Sequence, residues 1–255
     1  MVEPLTLTLL VIAAFVAAFI DSIVGGGGVI SLPALLATGI PPHMALGTNK
    51  LAATGASFMA TARYSHAGVV NPKLAWRLVG FAFVGAVAGA LTVLQIDPTF
   101  VRGLIIGVMA AMTITVVARK HFGREDHSAT RPRWAWAMLV PLALVVGFYD
   151  GLLGPGTGTF FLFGFVGLVG FDFLKAAGHG RVLNFATNLG ALLLFATFGR
   201  VDYALGLPMM GAMLVGAYFG SHHGIRHGAK FIKPLFVVVS LALMAKLVYD
   251  LSQAA

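Results

Sequence analysis

The stretch Asp21-Ser-Ile-Val-Gly-Gly-Gly-Gly28 decides the fold, because a related stretch, Asp150-Gly-Leu-Leu-Gly-Pro-Gly-Thr-Gly158, occurs in the second half of the chain. Gly47-Thr-Asn-Lys50 likewise corresponds to Gly178-His-Gly-Arg181, 131 positions later. A chain that repeats its glycine-rich interruptions is typical of membrane transporters built from internal repeats. The same offset of 131 pairs Gly68 with Gly199, Gly80 with Gly211, Gly85 with Gly216 and Gly89 with Gly220.

The composition is that of an integral membrane protein. Hydrophobic residues make up 58% of the 255 residues, charged residues make up 10%, and the mean hydropathy is +0.91. A soluble domain carries about 25% charged residues. We therefore predict an all-α membrane protein with about 8–10 transmembrane or re-entrant helical segments, because a crossing needs about 20 apolar residues. Apolar runs lie at 5–24, 27–40, 44–62, 74–95, 100–118, 134–149, 155–171, 174–198, 203–220 and 234–249.

The net charge of +8 reflects topology rather than nucleic-acid binding, because the basic residues lie in short loops. Twelve of them fall in alternate loops that we assign to the cytoplasm, whereas the opposite loops hold only Arg102 and Arg200. The twelve are Arg63, Lys73, Arg77, Arg119, Lys120, Arg124, Arg131, Arg133, Lys175, Arg226, Lys230 and Lys233.

The two glycine-rich interruptions predict that each half begins with an out-and-back pair of segments, either two spans or a deep re-entrant hairpin. A single crossing over 134–171 would extend 38 residues, about 57 Å of helix, through a core of about 30 Å. Five segments per half make the repeats inverted and place both termini in the periplasm. We expect a first repeat over 1–118, a cytoplasmic linker over 119–133 and a second repeat over 134–255.

The interruptions themselves are candidate anion sites. Glycine runs within a bilayer must line a polar cavity or be buried in protein, and each break leaves a helix N-terminus with free N–H groups. Close packing of small residues is the alternative explanation for membrane glycines. The predicted contacts to an anion are Gly25, Gly26, Gly27, Gly28, Gly154, Gly156 and Gly158, together with the hydroxyl groups of Thr157 and Thr159.

Lys50 and Arg181 occupy equivalent positions inside two helices, and we expect them to attract or gate an anion. Such side chains can instead extend to the lipid headgroups, but the polar residues around them exceed what that role requires. Thr48, Asn49, His179, Asn184 and Asn188 complete this predicted polar group, and the alternative for the three asparagines is hydrogen bonding between neighbouring helices.

Asp21 and Asp150 each precede a glycine break by four residues. They would either couple transport to protons or accept hydrogen bonds from the N–H groups of their own glycine turn. His222, His223 and His227 have spacing that resembles a metal cluster, but we place them in a basic loop without carboxylates and predict no metal and no cofactor. The chain also has no cysteine and no catalytic motif, so we predict that it is not an enzyme.

The Asp-x-x-x-Gly-Gly-Gly-Gly break, Ala45-Leu-Gly-Thr-Asn49, the Ala-Ala-Gly178 counterpart, and Asn188-Leu followed by Phe198-Gly-Arg-Val-Asp-Tyr203 resemble the TauE/SafE sulfite exporter family. The resemblance covers nearly the whole chain. It implies a polytopic inner-membrane protein that moves sulfite, sulfoacetate or related sulfur-containing anions, commonly outward.

The predicted function is therefore a secondary transporter that exports sulfite or a short organosulfonate by alternating access. Its partners are the small anion and the lipid bilayer, with no nucleic acid; the sequence leaves the oligomeric state open. A passive anion channel is the main alternative, and a membrane enzyme or assembly factor is a weaker one.

Overall fold

A computed structural model describes residues 3–98, 100–101 and 126–227, and within these ranges the chain is helical without strands. A single 3₁₀ turn, Ser128–Thr130, precedes the second half, and a π-helical turn, Phe165–Val169, extends α7. The helices are α1 Pro4–Val24, α2 Gly28–Leu36, α3 Pro42–His66, α4 Pro72–Leu94, α5 Arg133–Ala137, α6 Leu139–Leu152, α7 Thr157–Gly164, α8 Phe173–Thr197 and α9 Tyr203–His227.

The helices begin and end where the sequence chemistry requires. Pro4, Pro42 and Pro72 stand at the first helical positions of α1, α3 and α4, where the missing N–H is not needed. Asn71 and Asp172 accept hydrogen bonds from the first turns of α4 and α8. The predicted breaks are confirmed, because α1 ends at Val24 before the first glycine run and α6 ends at Leu152 before the second.

Four stretches of the described chain are long and apolar enough to cross a membrane: Pro4–Val24, Pro72–Leu94, Arg133–Leu152 and Tyr203–His227. By contrast, α2 has 9 residues, and α7 with its π-helical turn covers Thr157–Val169. At 1.5 Å per residue these short helices reach only about half of a 30 Å core. Of the two arrangements left open by the sequence, the short helices favour the re-entrant hairpin.

The long polar helices α3 and α8 cross at the centre of the protein and run antiparallel. Tyr64 lies against Gly178 near one end of the pair, Phe58 meets Phe185, and Lys50 donates to Asn188 towards the other end. Helix α9 packs along α3, and α4 packs along α8. Helix α1 then packs on α9, and α6 packs on α4, so every outer helix lies on a helix of the other half.

Two equivalent pairs of glycines form the helix contacts between the halves, one pair in each half. A Cβ at Gly85 would meet the carbonyl oxygen of Leu144 at 2.3 Å, and a Cβ at Gly216 would meet that of Phe15 at the same distance. Gly89 and Gly220 approach Phe148 and Phe19 in the same way. These glycines therefore serve close helix packing, as expected for small residues in membrane interfaces. Gly80 and Gly211 have no such neighbour within 4 Å.

Some predictions fall outside the described residues or are wrong. The segment 102–118, the linker up to residue 125 and the segment 234–249 lie outside them, as do Arg102, Arg119, Lys120, Arg124, Lys230 and Lys233. The predicted loop around His222, His223 and His227 is wrong, because all three lie on the last turns of α9. The side chains of His223 and His227 bond back to carbonyl groups one turn earlier, which keeps these polar residues within the helix.

Candidate functional site

A central cavity lies between the two halves, where both breaks meet α3 and α8. Residues of both halves form its wall. The predicted site residues that line it are Asp21, Gly27, Gly28, Asn49, Lys50, Asp150, Gly154, Thr157, Gly158, Asn184 and Asn188. The sequence analysis missed Ala17, Ala18, Ser31, Ala53, Ala56 and Met213.

Lys50 is buried at the cavity and forms an ion pair with Asp150 of the other half. Its Nζ lies 2.9 Å from Oδ1 of Asp150 and donates to Oδ1 of Asn188 at 3.1 Å. Both charged side chains are only 2% exposed. The hydroxyl group of Thr157 also donates to Oδ1 of Asp150, at 2.6 Å. The second carboxylate oxygen, Oδ2, is buried without a hydrogen-bond partner among the described residues.

Arg181 belongs to the second half and forms the equivalent ion pair with Asp21 of the first half. Nη1 of Arg181 lies 2.7 Å from Oδ2 of Asp21, and the arginine side chain is 0% exposed. The Asp21 side chain is 19% exposed and lines the central cavity. Nε and Nη2 of Arg181 are buried and have no hydrogen-bond partner within the described parts of the chain. Arg181 itself does not line the cavity, but its guanidinium lies directly against Gly158, which does.

Neither cation extends to the outer surface, since the far ends of both side chains are held inside by carboxylates. Removing a charge from water costs several kcal/mol unless it is paired, and each of these two buried cations has a carboxylate partner. The sequence analysis placed the cations correctly at equivalent depths but did not identify their partners. Asp21 also accepts from the N–H of Gly27 at 2.9 Å, which is the capping role we considered for it.

The glycine breaks touch each other, and their backbone geometry requires glycine. Gly25 and Gly154 have φ angles of +89° and +93°, in the left-handed region. A Cβ at Gly25 would lie 2.3 Å from the backbone nitrogen of Thr159. The Thr159 hydroxyl group donates to the carbonyl oxygen of Val24 at 3.1 Å and is therefore occupied in joining the two breaks. Gly26 also has a positive φ angle, and Gly156 caps α7 at φ +81°.

Three asparagines supply neutral polar groups to the cavity. Asn49 accepts a 2.6 Å hydrogen bond from the hydroxyl group of Ser31, a residue on α2 that the sequence analysis did not select. Asn188 accepts from Lys50, and Asn184 lines the same wall one helical turn away. Amide and hydroxyl groups of this kind can donate to the oxygens of a bound ligand in several directions.

Thr48 and His179 do not line the cavity, although both were predicted to do so. The hydroxyl group of Thr48 accepts from the N–H of Asp202 at 2.9 Å, and Nε2 of His179 accepts from the N–H of Asn71 at 3.0 Å. These two contacts are equivalent under the 131-residue offset and again cross between the halves. They join α3 to the start of α9 and α8 to the start of α4.

An all-helical, multi-pass membrane protein with a buried polar cavity between its two halves has the architecture of a membrane transporter. The sequence model of the family described as sulfite exporter TauE/SafE matches residues 10–247. The chain belongs to this family. The names of the family and of its members place the protein among membrane transporters rather than enzymes.

Curated relatives are similar over nearly their full length. The probable membrane transporter protein ORF9 of Sinorhizobium sp is 43% identical over 245 residues, covering 96% of this chain and 93% of the relative. The probable membrane transporter protein YfcA of Escherichia coli strain K12 is 39% identical over 254 residues, covering 98% and 92%. A probable membrane transporter protein of Haemophilus influenzae is 37% identical over 244 residues, covering 96% and 95%. No solved structure matches the chain.

Proposed function

We propose that this transporter moves a small anion, sulfite or a short organosulfonate, across the bacterial inner membrane by alternating access between two inverted repeats. The family name refers to sulfite export, and an outward direction is part of the proposal. Lys50 and Arg181 supply positive charge at the central cavity. Asn49, Asn184 and Asn188 supply hydrogen bonds to the oxygens of the anion.

One observation carries the anion proposal: the fully buried guanidinium of Arg181 keeps Nε and Nη2 unpartnered among the described residues, directly behind the cavity wall at Gly158. Leaving a buried donor without an acceptor costs about 1–3 kcal/mol, and more for a charged group. A guanidinium presents its donors in a planar fork that matches the oxygens of a carboxylate, phosphate or sulfonate. An oxyanion that replaced Asp21 would use these donors.

The antiparallel crossing of α3 and α8 supports inverted repeats. These helices occupy equivalent positions under the 131-residue offset, and equivalent helices that run in opposite directions are expected when a repeat is inverted. With the cytoplasmic assignment of residues 126–133, both termini would then lie in the periplasm. A reporter fused to the C-terminus tests this orientation, and a cytoplasmic signal would contradict it.

Two hydrogen bonds between the halves favour a carrier over a passive channel. Thr48 with Asp202 and His179 with Asn71 lie on opposite sides of the cavity along α3 and α8, so each can close one end. A channel would need a polar path that is open at both ends at once.

The function is tested with purified protein in proteoliposomes. Binding and flux are measured for sulfite, thiosulfate, sulfoacetate, sulfate and taurine. We expect saturable flux of at least one sulfur oxyanion, accelerated by unlabelled anion on the opposite side. Flux that rises linearly with concentration and shows no exchange would establish a channel, and the absence of binding and flux for all five would refute the anion proposal.

A further inference from the structure

The charges at the central cavity cancel, and this balance restricts how an anion can move. Lys50 and Arg181 contribute two positive charges, and Asp21 and Asp150 contribute two negative charges at distances of 2.7–2.9 Å. A monovalent anion added to this group would leave one uncompensated negative charge in a buried site. Such a charge costs several kcal/mol, so buried carboxylates without a partner take up a proton instead.

We propose that each monovalent anion travels with one proton, which Asp21 binds when the anion takes its place on Arg181. This inference rests on the proposed anion function. Transport is then electroneutral: one anion and one proton enter the cavity from one side, and the same anion and proton leave on the other. The proton comes from the water on the side to which the cavity is open and returns to water on the opposite side.

The geometry favours Asp21 over Asp150 as the proton site in the arrangement described here. Both carboxylates line the cavity, but the Asp21 side chain is 19% exposed, whereas that of Asp150 is 2% exposed. Asp21 is held to Arg181 through Nη1, and the two remaining donors of the guanidinium have no described partner. Because the guanidinium lies behind Gly158 and does not itself line the cavity, an oxyanion reaches Arg181 by taking the place of the Asp21 carboxylate, which does line it.

The second cation near Asp21 is Lys50, which interacts electrostatically with Asp21 but is paired with Asp150 at 2.9 Å. Its Oδ1 accepts from the N–H of Gly27, a contact that a neutral carboxylic acid can keep. Helices α3, α6, α8 and α9 bring titratable or charged groups towards it. These are Arg181 in direct contact, Lys50 and Asp150 across the cavity, Tyr64 through its hydrogen bond to Ser22, and His223 through its ring contact with Phe19.

The test uses methanesulfonate and isethionate, monovalent sulfonates that stay ionised, so that a proton cannot be carried on the anion itself. Wild-type protein in proteoliposomes is given either a pH gradient at zero voltage or a potassium–valinomycin voltage at equal pH. We expect the accumulated sulfonate ratio to follow the pH gradient, about tenfold per pH unit. A voltage of 100 mV should leave the ratio unchanged, whereas an uncoupled anion would redistribute about fifty-fold.

Asp21→Asn sharpens the test, because the amide cannot bind and release a proton. We expect this variant to exchange labelled for unlabelled sulfonate but to lose accumulation driven by the pH gradient. Asp21→Glu should retain that accumulation, and Asp126→Asn, which changes an exposed carboxylate far from the cavity, serves as the matched control. The exchange assay also shows that the Asp21→Asn protein is folded.

The outcomes separate the two proposals. Wild-type accumulation that follows voltage and ignores the pH gradient would overturn the proton coupling while leaving the anion function intact. Accumulation by Asp21→Asn that still follows the pH gradient would overturn the assignment of Asp21. If neither sulfonate nor any of the five anions tested above moves at all, the proposed function itself fails.

Discussion

The first break, residues 25–27 between α1 and α2, and the second break, residues 153–156 between α6 and α7, have nearly the same sequence spacing but differ in how they hold their carboxylate. At the second break the hydroxyl group of Thr157 donates to Asp150 and to the carbonyl oxygen of Gly154. The hydroxyl group of Tyr149 donates across the same break to Pro155. The equivalent of Thr157 at the first break is Gly28, which has no hydroxyl group.

This difference shows how a repeated motif can produce two unequal ion pairs. The carboxylate of Asp150 is held by a hydroxyl group and an ammonium group, and its side chain is only 2% exposed. The carboxylate of Asp21 is held by a backbone N–H and a guanidinium and stays partly open. The two pairs therefore differ in how far their carboxylate side chains are exposed, 19% for Asp21 against 2% for Asp150.

The largest expected effect comes from removing the cations one at a time. Lys50→Met should lower the free energy of unfolding by about 3–5 kcal/mol, because it leaves Asp150 buried without its charge partner. Arg181→Met should lower it less, because water in the cavity reaches Asp21. Both variants should lose most transport under the proposed function. Unfolding is measured in detergent by thermal denaturation, and flux is measured in proteoliposomes.

The matched control removes both charges of the pair formed by Lys50 and Asp150. Lys50→Met combined with Asp150→Leu should recover much of the lost stability without recovering transport, because an apolar replacement of a buried ion pair is often neutral for folding. Equal stability losses for the two single variants would show that the two carboxylates are equally solvated. The comparison between the breaks would then fail.

The next effect concerns the glycine that opens each break. Gly25→Ala and Gly154→Ala both place a side chain at a positive φ angle, which costs about 1–2 kcal/mol. At Gly25 the new Cβ also meets rigid backbone at 2.3 Å, whereas at Gly154 the nearest atom is the movable Nζ of Lys50 at 2.9 Å. We expect a lower melting temperature for Gly25→Ala than for Gly154→Ala. The reverse order would mean that the Lys50 side chain is the more rigid neighbour.

The packing glycines provide a comparison within each half. Gly89→Ala and Gly220→Ala would place a Cβ 1.9 and 2.2 Å from the carbonyl oxygens of Phe148 and Phe19, so we expect helix separation and a lower melting temperature for both. Gly80→Ala and Gly211→Ala are the controls, since nothing lies within 4 Å. The controls should be neutral or gain up to about 1 kcal/mol from better helix propensity. If only one of Gly89→Ala and Gly220→Ala lowered the melting temperature, the two helix contacts would not be equivalent.

The smallest effect is expected at the surface. Asp126 pairs with Lys175 at the start of α8, and this hydrogen bond, with a second from Ser128, lowers the pKa of Asp126 to about 2. Asp126→Asn should change stability by less than about 1 kcal/mol, because exposed ion pairs contribute little. The lowered pKa means that any stabilisation is present above the unfolded value and is lost as pH falls towards 2. Melting temperatures of both proteins measured down this pH range should converge, and a difference that persists at the lowest pH would contradict the pairing.

The sequence was sufficient to predict the all-helical membrane fold, the two helix breaks and the equivalence of Lys50 and Arg181. Glycine clusters in apolar surroundings and a fixed 131-residue offset are local signals that need no structure. The ion pairs could not be predicted in this way, because Asp21 and Arg181 are 160 residues apart and no local pattern joins them. Which carboxylate meets which cation depends on how the halves pack.

Thr48 and His179 differ from the other predicted anion contacts on α3 and α8 in the helix face that they occupy. Successive residues of an α-helix are separated by 100°, so Thr48 and Lys50 point in directions about 160° apart, as do His179 and Arg181. Asn184 and Asn188 lie three and seven positions after Arg181 and therefore share its face. Helical spacing, rather than closeness in sequence, was the signal that separated the cavity residues from those that join the helix ends.

The crossed ion pairs also have a consequence for biosynthesis. Asp21 leaves the ribosome 160 residues before Arg181, and at about 5–20 residues per second this interval lasts roughly 10–30 s. Lys50 is likewise synthesised 100 residues before Asp150. During this time each charge has entered the insertion pathway while its counter-ion is still untranslated. Until the second half is made, Asp21 and Lys50 lack the partners that they have in the folded protein, and the opposite charges available to them within the first half are each other.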